Sequence, residues 1–516
     1  MKKFYVTTAI YYVNAKPHIG HCSESVSADT LARYHRLKGE EVFFLTGTDE
    51  HGQKVAKAAA EAGKSPKEFT DSVVKPSLEL WKLLSISYDD FIRTTDERHI
   101  EVVQAVLTDL YNKGEFYESE YKGWYCGSCE AFYPKNQLDG NTCPECKRPL
   151  EEIAETNWFF KLSKYQDWLV KYINEHPEFI KPVSRRNEIL SFLSQPLQDL
   201  CISRPRSRLE WGIPIPFSKD HVAYVWFDAL VNYISGIGYL KDKQKFNKFW
   251  PADVHIVGKD IIRFHAVYWP IMLRASGIEL PKTVFAHGFW LIGKDAEKMS
   301  KSKGNVVDPF ELINKYGSDP LRYFLLREVT YGLDGAYSEA ALVSRLNTDL
   351  ANDIGNLLNR TLTMIEKYYG GKVPSPAGTK DAVDDELKAL SKDLPGKIDA
   401  SMAELDFAGT LASIWELINK ANKYIEVQAP WTLDKQGKKD RLSDVIYNLA
   451  ETLRIVTIAV SPFIPASAEK MWGQIGMAAP LSGARFSDME GWGLTKPDTE
   501  IRKGAPLFPR IDTKAK

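Results

Sequence analysis

Two rhythms of apolar and polar positions run along this chain, and the change from one to the other divides it. In the first, short β-branched and aromatic runs alternate with helical stretches. Lys3-Phe4-Tyr5-Val6-Thr7 predicts a strand, and Gly20 to Lys38 predicts a helix closed by Gly39. This alternation, with helical stretches such as Val102 to Leu110, continues through residues 1–115 and predicts the first half of a parallel α/β sheet. Residues 116–220 interrupt it and read as an insertion. Strand-like Val222 to Trp226, Val254 to Val257 and Val284 to His287 resume it across residues 221–300, completing a split nucleotide-binding domain. Ligands of such sheets bind at the carboxyl ends of strands, where Asp49, Trp226, Lys259 and His287 fall.

The second rhythm is helical. After a connecting region at residues 301–345, Leu346, Leu350, Ile354, Leu357, Leu358 and Ile365 continue from Leu342 mostly at three- to four-residue spacing, and Gly370-Gly371 ends the stretch. Leu411 to Val427 and Val445 to Val460 repeat the pattern, so residues 346–516 predict a helical bundle. Lys372 to Thr379 reads as a loop, and the polar tail Ile511 to Lys516 as a frayed terminus.

Length and charge set only bounds. At 516 residues the chain needs two or three domains, and a formal net charge of −1 decides nothing about nucleic acid, because local patches contact phosphates. No apolar run approaches the roughly 20 residues of a membrane span, and Met1-Lys2-Lys3 leads into a strand rather than a signal peptide. The expectation is a soluble cytoplasmic protein without a membrane partner.

Six cysteines are present, and four form one pattern: Cys126-Gly-Ser-Cys129, thirteen intervening residues, then Cys143-Pro-Glu-Cys146. Paired Cys-x-x-Cys knuckles bring four thiolates into tetrahedral reach of one zinc ion. Two disulfides are the other reading; a chain without an export signal favours zinc. Four thiolates leave no open coordination position, which makes such a zinc structural. Cys22 and Cys201 read as small buried hydrophobes.

Two distant segments carry the chemistry. His18-Ile19-Gly20-His21 stands at a predicted helix start, where free N–H groups and the helix dipole attract anions. Lys298-Met299-Ser300-Lys301-Ser302 lies in a loop between Gly293 and Gly304, able to fold over a triphosphate and neutralise departing pyrophosphate. Gly20 is expected to let phosphate oxygens approach the backbone. Separately, each segment is an ordinary surface feature; together they describe a device that holds ATP while its α-phosphate is attacked.

The two motifs resemble the paired signatures of the class I aminoacyl-tRNA synthetases. Tyr5 to Asn14, Gly47-Thr48-Asp49-Glu50-His51-Gly52, Tyr224-Val225-Trp226-Phe227-Asp228-Ala229 and Gly258-Lys259-Asp260-Ile261-Ile262 narrow the resemblance to the methionyl-tRNA synthetases, over nearly the whole chain. It implies a Rossmann-like parallel sheet split by a zinc-knuckle insertion, a lysine-loop and stem-contact region, and a helical anticodon-binding domain. It also implies a methionine-tRNA ligase that joins methionine to AMP with release of pyrophosphate, then passes it to the terminal adenosine of tRNA.

By the same resemblance His18, His21, Lys298 and Lys301 are catalytic, Mg²⁺ accompanies ATP, and Gly20, Lys259, Asp260, His287 and Gly288 bind ATP. Methionine would lie among Ala9, Ile10, Tyr12, Trp226, Ala229, Leu230, Tyr233, Ile261 and His265, with its ammonium on Asp49 and its sulfur nearest Tyr12 and His265. Asn356 and Arg360, one turn apart, would contact an anticodon base edge and Trp431 would stack on a base. The partners implied are ATP, L-methionine and both initiator and elongator methionine tRNAs. The chain ends soon after the bundle, without the appended module of some relatives, so a monomer is expected. Cys22-Ser23-Glu24-Ser25 departs from the Ala-Tyr-Thr run expected after His21, and Glu24 is expected to add a negative charge on the first helical turn.

Other readings fit less well. Isoleucyl, valyl and leucyl enzymes carry a large editing insertion, whereas the one here is short, and cysteinyl enzymes need an open zinc position. A non-catalytic tRNA-binding paralogue of the same fold would typically have lost a signature residue, and His18, His21, Lys298 and Lys301 are all present.

Overall fold

The computed structural model describes residues 2–13, 16–127, 131–133, 138, 140–144, 147–292, 297–298 and 307–512, without side chains at 121, 122, 131–133, 297 and 298. The first half of the catalytic sheet comprises β1 (Lys3–Tyr12), β2 (Glu41–Asp49) and β3 (Asp90–Arg93). The insertion then supplies β4 (Phe116–Cys126), β5 (Ala131–Tyr133), β6 (Glu151–Phe160), β7 (Ile180–Lys181), β8 (Leu200–Cys201) and β9 (Ser203–Pro205), with β10 (His221–Ala223) directly following it. After it come β11 (Val254–Gly258) and β12 (Thr283–His287).

Among the described residues the central sheet has six strands in the order β3-β2-β1-β11-β12-β7, all parallel. The order reverses between β1 and β11, which opens a crevice at their carboxyl ends. Side chains alternate between two cores. Phe4, Val6, Phe44, Ile256 and Phe285 face one cluster with helix α1 (Ile19–Leu37), while Tyr5, Phe43, Leu45, Val257 and Val284 face the other with helix Glu97–Asn112. Each such fully buried large apolar side chain contributes about 1.5–3 kcal/mol. Gly47 is required on β2, because a Cβ there would stand 2.0 Å from the Ile92 carbonyl oxygen of β3.

One expected strand is a helix. Val222 to Trp226 predicted a strand of the sheet, but only His221–Ala223 is extended; it pairs with β9 outside the sheet, and helix Val225–Leu230 begins at once. The aromatic, β-branched run gave a strand-like signal, yet the start of this helix packs Val225 and Phe227 inward, so tertiary packing overrides propensity. Conversely, β7 inside the insertion joins the sheet edge; two residues are too few for any periodic signal.

The helical part begins with one long rod. Glu339–Arg345, the wider-turned Leu346–Gly355 and Asn356–Tyr369 follow one another without a break, and Gly370 ends the rod at φ +61°. Helices Ala382–Ala403, Phe407–Gln428 and Lys439–Val460 complete the bundle. Its core is continuous with the α1 face of the sheet, so the sheet and the helical part share one interior. No helix among the described residues is long and apolar enough to cross a membrane.

Candidate active site

His18 is the N-cap of α1, and its ring folds back over the helix start. Its Nδ1 accepts from the Gly20 N–H at 3.1 Å, while His21 Nδ1 accepts from the His18 N–H at 3.0 Å. Acceptance at Nδ1 fixes both ring protons on Nε2, and the two rings stand 4.0 Å apart. Gly20 makes room for this fold-back of the His18 ring. A Cβ at that position would lie 2.9 Å from His18 Cε1.

Glu24 differs from expectation. It lies in the second turn of α1 rather than the first, and it is buried. The register of β1 against β2 shifts between Thr7 and Ile10, and the Ala9 N–H donates instead to Glu24 Oε1 at 2.8 Å. Glu24 Oε2 meets His287 Nε2 at 2.8 Å, and His287 Nδ1 donates to the Gly288 carbonyl. Burial opposes charge on His287, but the bonds to Glu24 prevail and hold its pKa above the ordinary histidine value.

The residues named for methionine converge on the carboxyl edge of the sheet. Ala9, Ile10 and Tyr12 occupy the end of β1, with Tyr12 in register with Asp49, the buried last residue of β2. Trp226, Ala229 and Leu230 lie on helix Val225–Leu230, and Tyr233 on the next turn. Trp226 stacks on Phe264 at 3.7 Å, an aromatic partner the sequence reading missed. The Tyr233 hydroxyl donates to His265 Nε2 at 2.7 Å, and His265 Nδ1 donates to the Ile261 carbonyl at 3.0 Å. Burial lowers the His265 pKa to about 4, so the imidazole is neutral. Both its nitrogens are thus engaged, Nε2 by the Tyr233 hydroxyl and Nδ1 by the Ile261 carbonyl. Tyr233 in turn stacks on His255 at 4.1 Å.

Beyond β12, strands β13 (Trp290–Ile292), β14 (Glu297–Lys298) and β15 (Gly335–Ala336) form a small sheet in the order β14-β13-β15. It carries the base of the lysine loop; the side chain of Lys298 and all of Lys301 lie outside the described residues. Lys259 Nζ pairs with Asp334 Oδ2 at 2.7 Å, directly before β15, and Asp260 lies beside it in the short turn Lys259–Ile261. Gly288 packs so close to this segment that a Cβ would stand 2.2 Å from the Leu333 carbonyl oxygen.

Sequence reasoning also missed a buried cluster, in which Asp228 joins His51 to His99. His51 and Asp228 stand inside two of the sequence motifs and His99 in none, and nothing in local spacing signals a pairing across 177 and 129 residues.

Of the four patterned cysteines, Cys126 and Cys143 are buried in one small cluster with Leu150; Cys129 and Cys146 lie outside the described residues. Cys143 heads a tight turn, its carbonyl accepting from the Lys147 N–H at 2.9 Å and its N–H donating to the Arg148 carbonyl at 2.8 Å. No metal-ligand group is found among the described residues, of which this quartet supplies only half. Buried thiols beside a tight turn are a fitting donor set for zinc. In the bundle, Asn356 is exposed at the start of its helix, Arg360 pairs with Glu426 at 2.6 Å, and Trp431 is 40% exposed five residues beyond Glu426.

Comparison with known proteins agrees with this architecture. The family model described as tRNA synthetases class I (M) matches residues 4–152 and 148–362, and the anticodon-binding domain of tRNA ligase matches residues 390–503. The methionine–tRNA ligase of Caldanaerobacter subterraneus subsp. tengcongensis is 52% identical over 99% of this chain and 79% of its own. That of Clostridium tetani is 52% identical over 100% and 79%. Mycobacterium tuberculosis methionyl-tRNA synthetase in complex with methionyl-adenylate superposes with a TM-score of 0.94 at 42% identity, covering 99% of this chain and 100% of that one. Its free form gives 0.87 at 39% identity, covering 99% of each chain. This chain belongs to the methionyl-tRNA synthetase family of class I tRNA synthetases.

Proposed function

We infer that this protein is a methionine–tRNA ligase: it joins methionine to AMP at the expense of ATP and transfers the methionyl group to tRNA. The observation that carries this reading is the histidine-capped start of α1 at the point where the sheet order reverses, next to a slot built from β1, Asp49 and the Trp226 helix. Full-length similarity to methionine–tRNA ligases supports the substrate.

Methionine lies along the slot with its ammonium on Asp49 and its side chain among Ala9, Ile10, Tyr12, Trp226, Ala229, Leu230, Tyr233, Ile261 and His265. Its carboxylate attacks the α-phosphorus in line, and pyrophosphate leaves with the electron pair of the broken P–O bond. No side chain forms a covalent bond; positioning and charge stabilisation supply the acceleration. The Nε2–H groups of His18 and His21 donate to phosphate oxygens, and the N–H groups at the α1 start add positive potential. Lys298 and Lys301 close over the leaving pyrophosphate, while Gly20, Lys259, Asp260, His287 and Gly288 hold the nucleotide. Mg²⁺ bound with ATP supplies further neutralisation of phosphate charge. The 2′-hydroxyl of the terminal adenosine of tRNA then attacks the adenylate carbonyl and releases AMP.

Cys126, Cys129, Cys143 and Cys146 would hold a structural zinc that cross-links the tip of the insertion, as the burial of two of them beside a tight turn supports. We assign residues 1–115 and 221–300 to catalysis, 116–220 to the insertion, 301–345 to the lysine loop and stem contact, and 346–516 to the anticodon. Asn356, Arg360 and Trp431 read the anticodon of initiator and elongator methionine tRNAs. The protein acts as a cytoplasmic monomer.

The test is exchange of labelled pyrophosphate into ATP with each standard amino acid, Lys301→Ala serving as control. Exchange with methionine alone, lost in the variant, is expected. Folded protein that exchanges with none would instead be a non-catalytic tRNA-binding paralogue.

A further inference from the structure

We propose that Asp228 is a positioning residue that sets the length of the methionine slot; the inference rests on the methionine reading of that pocket. Asp228 has no exposed surface and spends both carboxylate oxygens on histidines from distant parts of the chain. Its Oδ2 lies 2.7 Å from His51 Nδ1, and its Oδ1 lies 2.7 Å from His99 Nε2. Burial acts to raise its pKa, yet the two imidazoles prevail and hold it below the usual carboxylate value. The group is therefore an ionised acceptor of two short, charge-assisted bonds.

The three partners bracket the slot. His51 stands two residues beyond Asp49, the residue assigned to the ammonium. The loop between them is clamped from outside: Trp211 Nε1 donates to the Glu50 carbonyl at 2.5 Å, and the Glu50 carboxylate is held by Arg93 and Thr95. Asp228 stands two residues beyond Trp226 and one before Ala229, on the helix assigned to the thioether end. His99 fixes Asp228 to helix Glu97–Asn112, and His99 Nδ1 meets Ser235 Oγ at 3.1 Å. One carboxylate thus ties the ammonium end of the slot to its sulfur end. An apolar side chain would fill this interior without the desolvation cost of a charge, and none of the adenylation chemistry uses the group. A directional tether across the pocket accounts for the charge; packing alone does not.

The experiment is pyrophosphate exchange by Asp228→Asn, which keeps the shape, and His51→Gln, with methionine and with ethionine, one methylene longer. Both variants are expected to raise the KM for methionine between about tenfold and hundredfold, the scale of a displaced binding group. The KM for ATP is expected not to move. Discrimination against ethionine, where one methylene is worth about 10–200-fold, is expected to shrink in both. Folded variants with wild-type methionine KM and wild-type discrimination would overturn the proposal, as would a rise in the KM for ATP parallel to that for methionine. Should Asp228→Asn fail to fold, His51→Gln decides, since it leaves the Asp228–His99 pair in place. Asp49→Asn separates the two readings: an unchanged methionine KM in that variant removes the pocket assignment itself, whereas a raised one with normal Asp228→Asn kinetics removes only the tether.

Discussion

Glu24 Oε2 stands 2.8 Å from His287 Nε2, joining the second turn of α1 to the last residue of β12 across the crevice of the sheet. Because Glu24 also accepts the Ala9 N–H, one buried carboxylate ties β1, α1 and β12 together. The pair has a pH signature. The folded pKa of His287 is raised, so its contribution to stability is complete below the unfolded value near 6.5 and is lost as pH rises through the folded value. Glu24→Gln is expected to cost about 3–5 kcal/mol at pH 6, as for removing one partner of a buried pair, and less at higher pH. Melting curves of both proteins from acid to alkaline pH check this; a pH-independent difference would count against it.

Gly20→Ala should act on catalysis rather than on folding. The added methyl meets His18 Cε1 at 2.9 Å, so the ring must swing away from its capping position at the partly exposed start of α1. Displacing one of two phosphate donors is expected to slow methionine-dependent pyrophosphate exchange about 100-fold while the melting temperature falls little. Normal exchange in the variant would mean that the His18 fold-back has no part in holding phosphate.

These two sites show what the sequence can and cannot convey. The strand-to-helix passage from Lys3 to Gly39 was legible because period and caps are local signals, and so were the rod ending at Gly370 and the helices Phe407–Gln428 and Lys439–Val460. Trp226 was placed at a strand end, although its aromatic run begins a helix, because packing against the interior outweighs strand propensity. Glu24 read as a foreign charge since its partners, Ala9 N and His287, come together only when the split sheet closes. Asp228, His51 and His99 were hidden for the same reason. Pairings across more than a hundred residues leave no periodic trace, and the chemistry of the site consists largely of such pairings.

The cysteine assignment has its own test. Cys143 lies fully buried at the head of a tight turn in the insertion, so Cys143→Ser should release zinc and lower the melting temperature of the zinc-loaded protein. Metal analysis and thermal melts of the same preparation check both halves. Full zinc retention with unchanged melting would remove Cys143 from the ligand set.

Trp431 should separate the two half-reactions. It is exposed, as is Val427, and Arg360 on the neighbouring helix already pairs with Glu426. Trp431→Ala is expected to leave pyrophosphate exchange unchanged and to weaken aminoacylation of methionine tRNA by about 1–3 kcal/mol, the scale of one base–aromatic stack. Equal aminoacylation by both proteins across a tRNA titration would rule out stacking at this position.

Arg322 should prove a strong buried tie between α1 and the end of helix Lys439–Val460. It is fully buried, pairs with Asp29 of α1 at 2.8 Å, and donates to the Pro462 and Phe463 carbonyls just beyond helix Lys439–Val460. Burial acts to raise the Asp29 pKa, but Arg322 and Arg33 prevail and hold it below the usual carboxylate value. Its contribution is therefore present above the unfolded pKa near 3.9 and is lost as pH falls through the folded one. Arg322→Met is expected to cost about 3–5 kcal/mol near neutrality, because Asp29 is left charged and buried with Arg33 as its remaining ionic partner. Adding Asp29→Asn should restore part of that loss, since the uncompensated charge goes with it. Denaturant titrations of the wild type and the two variants check the order; a double variant less stable than Arg322→Met alone would show that the arginine acts through its carbonyl contacts and not through the ion pair.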